Sequence, residues 1–436
     1  MAFRNPLTIL RQLFGYWRVY GVRALLRKLK EKVIIKIKGE QFVELQKNIN
    51  PNNNEIENII GERFSSLYPL KGFYSQLPGK RINVVTDSIN SGSLFGGVAT
   101  ALILSSLMAE EWDCALRIIT RTEKPKTENF YRILQLNNIP FSKNVEFIYA
   151  PNWDFKAEFP VMDGDLFLTT SWWTTWSTRE AFGSNKIIYL LQEDERTFYP
   201  YSDDRFRCVD VFEDPQIRFV INTKLLYDHF VNDGLNSIRD HGFWFEPSFP
   251  ENLLYFEEQQ KNKYNFFFYA RPINLRNLYY LGIDVINSAV QKNILNPDDW
   301  NFNFVGKDLP QKRLQNFYNA NVYQNIPWSE YAQLVRGMDL GLSLMYSPHP
   351  SYPPFDLAAS GAVVVTNKYG LKQNLDFYSK NILCFDLNKE ALVEGLRQGV
   401  ALARNSALRM SNYRDNSIQS NWKTSFADIL EKLKDV

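Results

Sequence analysis

Between residues 81 and 405, short apolar runs alternate with stretches of helical spacing, twice over, and few folds are compatible with that rhythm. The first series is Ile82–Thr86, Ala115–Thr120, Val145–Tyr149, Leu166–Thr170, Ile187–Leu191 and Arg218–Asn222. The second is Phe266–Tyr269, Phe302–Val305, Val322–Asn325, Leu340–Leu344, Val363–Thr366 and Ile382–Phe385, with helices predicted over 276–292, 328–337 and 389–404. Runs rich in β-branched and aromatic residues are the signature of parallel strands covered on both faces. Strands separated by helices build doubly wound sheets, and no internal repeat turns either series into a solenoid. Residues 247–263 interrupt the rhythm with Pro247, Pro250 and a polar run, and read as an interdomain linker. A last helix is predicted over 416–433. The expected class is α/β: Rossmann-like domains over 61–246 and 264–415 facing across a cleft, with residues 416–436 packing back on the first.

Charge sets the N-terminus apart. Ten of the 50 Lys and Arg residues, but only Glu31 and Glu40 of the 48 acids, fall within residues 1–42, so the remainder is net acidic. There Leu7, Leu10, Phe14, Trp17, Val22, Leu25, Leu26 and Leu29 recur at near-helical spacing between basic residues. A basic amphipathic helix of this kind suits an anionic bilayer surface, or else docks on protein with its charges solvated. The Asn-rich stretch 45–60 reads as a linker, completing an N-terminal unit over 1–60. No apolar run reaches the length of a membrane span. Cys114, Cys208 and Cys384 show no CxxC spacing and His229, His241 and His349 no metal-ligand spacing, so neither a disulfide framework nor a histidine-built metal site is expected. An acidic body without a recognised motif disfavours nucleic acid as a partner.

Ligands of open α/β sheets bind at the carboxyl ends of the strands, so the loops there carry the chemistry. After the first strand, Gly96-Gly97 opens a helix; it is either a tight turn or a backbone left bare for a ligand. Neither a Walker A loop nor GxGxxG is present, which disfavours an NTPase or a dehydrogenase. After Phe266–Tyr269 come Arg271 and Arg276, two guanidiniums able to grip a diphosphate. Gly306-Lys307 follows Phe302–Val305 at the same edge and is assigned with them to the donor. A third loop brings His349, Ser351, Tyr352, Pro353 and Asp356. Its Pro353-Pro354 predicts a helix start with Ser351 as cap, and Asp356 is placed either to accept from a ribose hydroxyl or to offset the helix dipole.

Together these loops resemble retaining nucleotide-sugar glycosyltransferases of the GT-B fold, family 4. Arg271 and Arg276 match the family's basic pair, and Asp356 falls at the second glutamate of its Glu-x7-Glu motif; the first position is Pro348 here. The strings SLFGGVATA (93–101), FYPYSD (198–203), FYARP (268–272), GLSLMYSPHPSYPP (341–354) and TNKYG (366–370) resemble the WsaF-type rhamnosyltransferases within it. The resemblance implies a dTDP-β-L-rhamnose donor and no metal or other cofactor. It also implies cytoplasmic glycan assembly but not the acceptor, which is expected to be a glycan or lipid-linked glycan; the basic N-terminal segment would place the protein peripherally at the inner face of the cell membrane.

Three further features bear on catalysis. Trp172, Trp173 and Trp176 follow Leu166–Thr170 and offer stacking faces to an acceptor sugar, or pack between helices. Glu193 and Asp194 end the next strand, where either carboxylate could orient an acceptor hydroxyl or support developing positive charge; the resemblance maps its carboxylate to Glu193. Asp163-Gly-Asp165 spells a metal-binding DxD but sits at the amino end of its strand, and reads as a turn. Alternative readings keep the fold with another NDP-sugar, or make the chain a non-catalytic scaffold for glycan assembly.

Overall fold

The structure is a computed structural model and describes residues 55–434, apart from 77–78, 91–95, 153, 155–156 and 258–261. The basic segment 1–42 and most of the Asn-rich stretch lie outside the described residues. The end of that stretch is not linker but the helix Glu55–Arg63.

Two parallel sheets form the body. The first has seven strands in the order Val145–Tyr149, Ala115–Thr120, Lys80–Thr86, Gly164–Thr169, Ile187–Leu191, Arg218–Asn222 and Gly242–Phe245. The second has six: Asn321–Gln324, Trp300–Gly306, Tyr264–Ala270, Leu340–Leu342, Val363–Asn367 and Ile382–Phe385. Every predicted strand is present to within a few residues at its ends. Gly242–Phe245, a half-exposed edge strand, was not among the predicted strands, its apolar run being only the three residues Phe243–Phe245. A separate two-stranded pairing joins Gly72–Tyr74 to Phe159–Val161.

In each sheet the strand order reverses once. Lys80–Thr86 is flanked by Ala115–Thr120 on one side and Gly164–Thr169 on the other; Tyr264–Ala270 is flanked by Trp300–Gly306 and Leu340–Leu342. Loops leaving neighbouring strands at such a point part to opposite faces and open a crevice. The crevice loops are therefore those after Thr86, Thr169, Ala270 and Leu342. Gly306 is obligatory beside one of them, since a Cβ there would lie 1.8 Å from the Ala270 carbonyl oxygen.

The helix Gly97–Glu111 is apolar on all sides, with Thr100 through Ala109 buried, so it needs cover beyond its own sheet. Trp422–Lys432 supplies that cover. Asn421 caps it, accepting from the Lys423 and Thr424 amides, and Trp422, Phe426, Ile429 and Leu430 enter the first domain's core. The connection after residue 246 is packed too: Phe249, Leu253 and Leu254 are buried in the second domain's core, and the Phe249 amide donates to the Gln419 carbonyl at 2.7 Å.

Candidate active site

Loops leaving Thr86 and Leu191 in the first sheet meet those leaving Ala270, Gly306 and Leu342 in the second at one cleft of about 500 Å³, a size usual for small-molecule sites; the loop after Thr169 does not reach it. Gly96, Gly97 and Glu193 line it from the first domain; Arg271, Arg276, Gly306, Lys307, His349, Ser351, Tyr352, Pro353 and Asp356 line it from the second. Asp194, Trp172, Trp173 and Trp176 do not.

Gly96 sits at φ +77° as the residue before the helix Gly97–Glu111, a conformation that favours glycine. Its carbonyl accepts from Thr100 Oγ1 at 3.1 Å, and Thr100 in turn meets the Tyr352 hydroxyl at 3.0 Å. Asn222 Nδ2 donates to that hydroxyl at 2.9 Å, while Gln192 Nε2 donates to the Gly97 carbonyl at 2.7 Å. Tyr352 is thus a strut between the domains as well as a cleft wall.

Its helix, Tyr352–Ala359, begins at the two prolines as predicted, but Ser351 does not cap it. A cap hydroxyl accepts from the second or third helical amide. Those positions are Pro353 and Pro354, which have none. The same prolines leave this helix mouth with fewer N–H groups for an anion than the sequence reading assumed. Ser351 instead adopts φ +73°, and its amide donates to His349 Nδ1 at 2.9 Å. With Nδ1 accepting, the neutral imidazole carries its proton on Nε2, and that buried atom has no partner among the described residues. Burial pushes His349 down to about 3, so it stays a neutral hydrogen-bond donor at the cleft.

Asp356 lies in the second turn, 2% exposed, rather than in the solvated first turn of a dipole-compensating acid. Its Oδ2 accepts from Tyr331 Oη at 2.8 Å and its Oδ1 has no partner among the described residues. Burial pushes it up to about 7, against the Tyr331 bond. A carboxyl raised in the folded state favours folding when protonated, so the folded form loses stability as pH rises from about 4 through 7. Asp356→Asn is expected to raise stability at pH 8 by on the order of 2–4 kcal/mol, with little effect at pH 4. Urea unfolding at the two pH values checks this.

Arg276 stands in the short turn Leu275–Asn277 and meets Glu193 Oε2 at 2.7 Å, an ion pair not aligned as a hydrogen bond. Its guanidinium lies 4.1 Å over the Phe198 ring. Arg271, at the end of Tyr264–Ala270, makes no ion pair or side-chain hydrogen bond among the described residues. Glu193 is 8% exposed; burial raises its pKa, opposed by Arg276 and Ser347.

The remaining predicted residues serve elsewhere. Asp194 turns back to pair with Arg196 through two bonds, at 2.8 and 3.0 Å, and with His229 at 3.2 Å. Burial alone would raise it, yet these partners bring it down to about 2. Trp172 is 2% exposed, with Nε1 donating to Tyr199 Oη at 3.0 Å. Trp173 Nε1 donates to both Asp87 oxygens, and Trp176 is flanked by the guanidiniums of Arg179 and Arg207 at 4.3 and 5.0 Å. Asp165 of the DxD string is fully buried against Arg81 at 2.8 Å, at the amino end of its strand. Among the described residues no cluster of three His, Cys, Asp or Glu is placed to hold a metal ion, and no helix is long and apolar enough to cross a membrane.

Sequence reasoning missed Ser347, Tyr331 and Lys372. Ser347 donates to Glu193 Oε1. Tyr331 was legible as half of an i, i+3 aromatic pair, since it stacks on Trp328 at 5.3 Å. Lys372 is fully buried behind the third loop, 3.4 Å from the Met345 carbonyl, and burial lowers it to about 8; no local pattern marks it.

Comparison with known proteins accords with this geometry. The model of the WsaF N-terminal domain matches residues 81–224 and that of the WsaF C-terminal domain matches 264–397. The chain belongs to the WsaF family and carries both of its domains. An O-antigen biosynthesis protein of Myxococcus xanthus, RfbC, is 26% identical over 275 residues; the match takes in 62% of this chain and 20% of that much longer protein. Among solved structures, HepE of Anabaena in complex with UDP and glucose superimposes with a TM-score of 0.59 at 15% identity, covering 82% of this chain and 100% of HepE. A variant of TarM from S. aureus, in complex with fondaparinux, alpha-GlcNAc-glycerol and UDP, gives 0.57 at 11% identity, with coverage of 82% and 100%. The fold of this WsaF-type chain is GT-B.

Proposed function

We propose that this WsaF-type protein is a retaining, metal-independent glycosyltransferase that moves L-rhamnose from dTDP-β-L-rhamnose to a growing lipid-linked bacterial surface glycan. Residues 1–42 hold it at the inner face of the cell membrane. The observation that carries the reading is Arg271: a guanidinium on the cleft wall with no counter-charge among the described residues, beside Arg276. Arg276 has Glu193 as its anion, but Arg271 has none at the same switch-point edge, and a diphosphate reaching both guanidiniums fits that role.

When the bond from the anomeric carbon to the diphosphate oxygen breaks, negative charge gathers on the leaving group. Arg271 and the His349 Nε2–H are preorganised donors for it, joined by Arg276 as it exchanges Glu193 for the diphosphate, and such donors are the largest catalytic lever at a site of this kind. The acceptor hydroxyl attacks from the same face and its proton passes to the departing phosphate oxygen, so no protein base is essential. Asp356 Oδ1 accepts from the ribose. A second reading, with a UDP-sugar as donor, is favoured by the UDP complexes of HepE and TarM.

Calorimetry with dTDP, UDP and GDP, each with and without EDTA, tests the proposal. dTDP is expected to bind tightest, unchanged by EDTA. A divalent-metal requirement would overturn the metal-free mechanism, and a preference for UDP would replace the donor.

A further inference from the structure

The ion pair between Glu193 and Arg276 joins the domains, because the carboxylate belongs to the first and the guanidinium to the second. The other Glu193 oxygen accepts from Ser347 Oγ, again of the second domain, and from the Asp194 amide at 3.0 Å. Arg276 and Ser347 move as one unit, since the Tyr346 amide donates to the Arg276 carbonyl at 2.7 Å. From the first domain, Phe198 covers the guanidinium face. The first domain thus grips one of the two guanidiniums assigned to the diphosphate and leaves the other, Arg271, free of any such grip.

We infer that Glu193 is an intramolecular competitor of the donor's diphosphate: it occupies Arg276 and clasps the domains together until a diphosphate takes the guanidinium. The inference rests on the diphosphate reading of Arg271 and Arg276 and adds a positioning role for Glu193. A buried carboxylate that loses its cation is costly, so the exchange sets a threshold that a nucleoside diphosphate passes and an uncharged nucleoside does not. Departure of the nucleoside diphosphate after transfer is helped in the same way, as Glu193 reclaims Arg276.

The test measures binding of dTDP, UDP, thymidine and uridine to the full chain and to Glu193→Gln, which keeps an acceptor for Ser347 but no charge. Both diphosphates are expected to bind at least tenfold tighter to the variant and the nucleosides unchanged. The gain should vanish when Arg276→Ala is added. Ser347→Ala, a milder change to the same clasp, should give a smaller gain in the same direction. Diphosphate affinity that is unchanged or weaker in both variants would overturn the inference while leaving the donor assignment standing. A second readout needs no nucleotide: spin labels at the exposed positions Gln216 and Gln398, one on each domain, should report a broader interdomain distance in ligand-free Glu193→Gln. An unaltered distance would overturn the clasp. Wild-type protein that binds neither diphosphate would overturn the donor reading, and the competition with it.

Discussion

Arg271→Ala is expected to lower kcat/KM for sugar transfer by about a thousandfold, with no measurable change in unfolding midpoint. The two halves of that result come from one observation. A donor aimed at developing negative charge in a water-poor cleft contributes on the order of 3–4 kcal/mol to the transition state, so its removal should be severe. Removing a side chain that satisfies no buried partner leaves no orphan behind, and such changes usually stay within about 0.5 kcal/mol in stability. Arg276→Ala lacks this clarity, because it also strips the counter-charge from Glu193, 8% exposed, and should unfold more easily as well as react more slowly. Arg271→Lys should recover only part of the activity, since an ammonium cannot present two parallel N–H groups to a phosphate. Steady-state kinetics beside urea unfolding checks both halves. Full activity in Arg271→Ala would remove the basis for the diphosphate site, whereas a wild-type protein without transfer activity would favour a non-catalytic scaffold.

The sheets were legible because parallel strands covered on both faces are short, largely apolar runs that recur between stretches of helical spacing. The short edge strand Gly242–Phe245 escaped because its apolar run is only three residues, Phe243–Phe245, and follows the helix Asn236–His241 without a loop between them. The binding edge followed from topology, which places Gly96, Arg271 and His349 at loops leaving the ends of strands. What a linear reading could not supply is which way a side chain at that edge turns. Glu193 lies in the bend after the strand Ile187–Leu191 and Asp194 caps the short turn Glu195–Phe198, so the direction of each side chain is set by a turn that no periodicity reveals. One enters the cleft and the other meets Arg196 and His229. The failed cap at Ser351 was, by contrast, decidable in advance, since prolines at the second and third helical positions offer it no amide. So was part of the tryptophan problem. Ser171 and Thr174 form a capping box, placing Trp172 at the first position of the helix Trp172–Phe182, which packs on the sheet before any sugar can reach it.

Trp172→Ala is therefore expected to destabilise the protein by about 3–5 kcal/mol, the usual cost of emptying a buried indole site, while folded molecules keep their acceptor KM. The indole is among the largest fully buried side chains, packed edge-on to Tyr199 at 5.9 Å and to Trp173 at 6.1 Å. Its removal also leaves the Tyr199 hydroxyl without the Nε1 donor. Trp176→Ala gives a contrast within the same helix. That ring is held between two partly solvated arginines, and such contacts contribute only about 0.5–2 kcal/mol. Urea midpoints should order the variants Trp172→Ala well below Trp176→Ala, with unfolding slopes unchanged. Neither should alter the KM for the acceptor at saturating donor. A rise in that KM for Trp172→Ala, with stability retained, would mean that the helix turns this ring outward when the acceptor binds. The acceptor sugar would then lie on the first domain's helices instead of in the cleft between the two sheets.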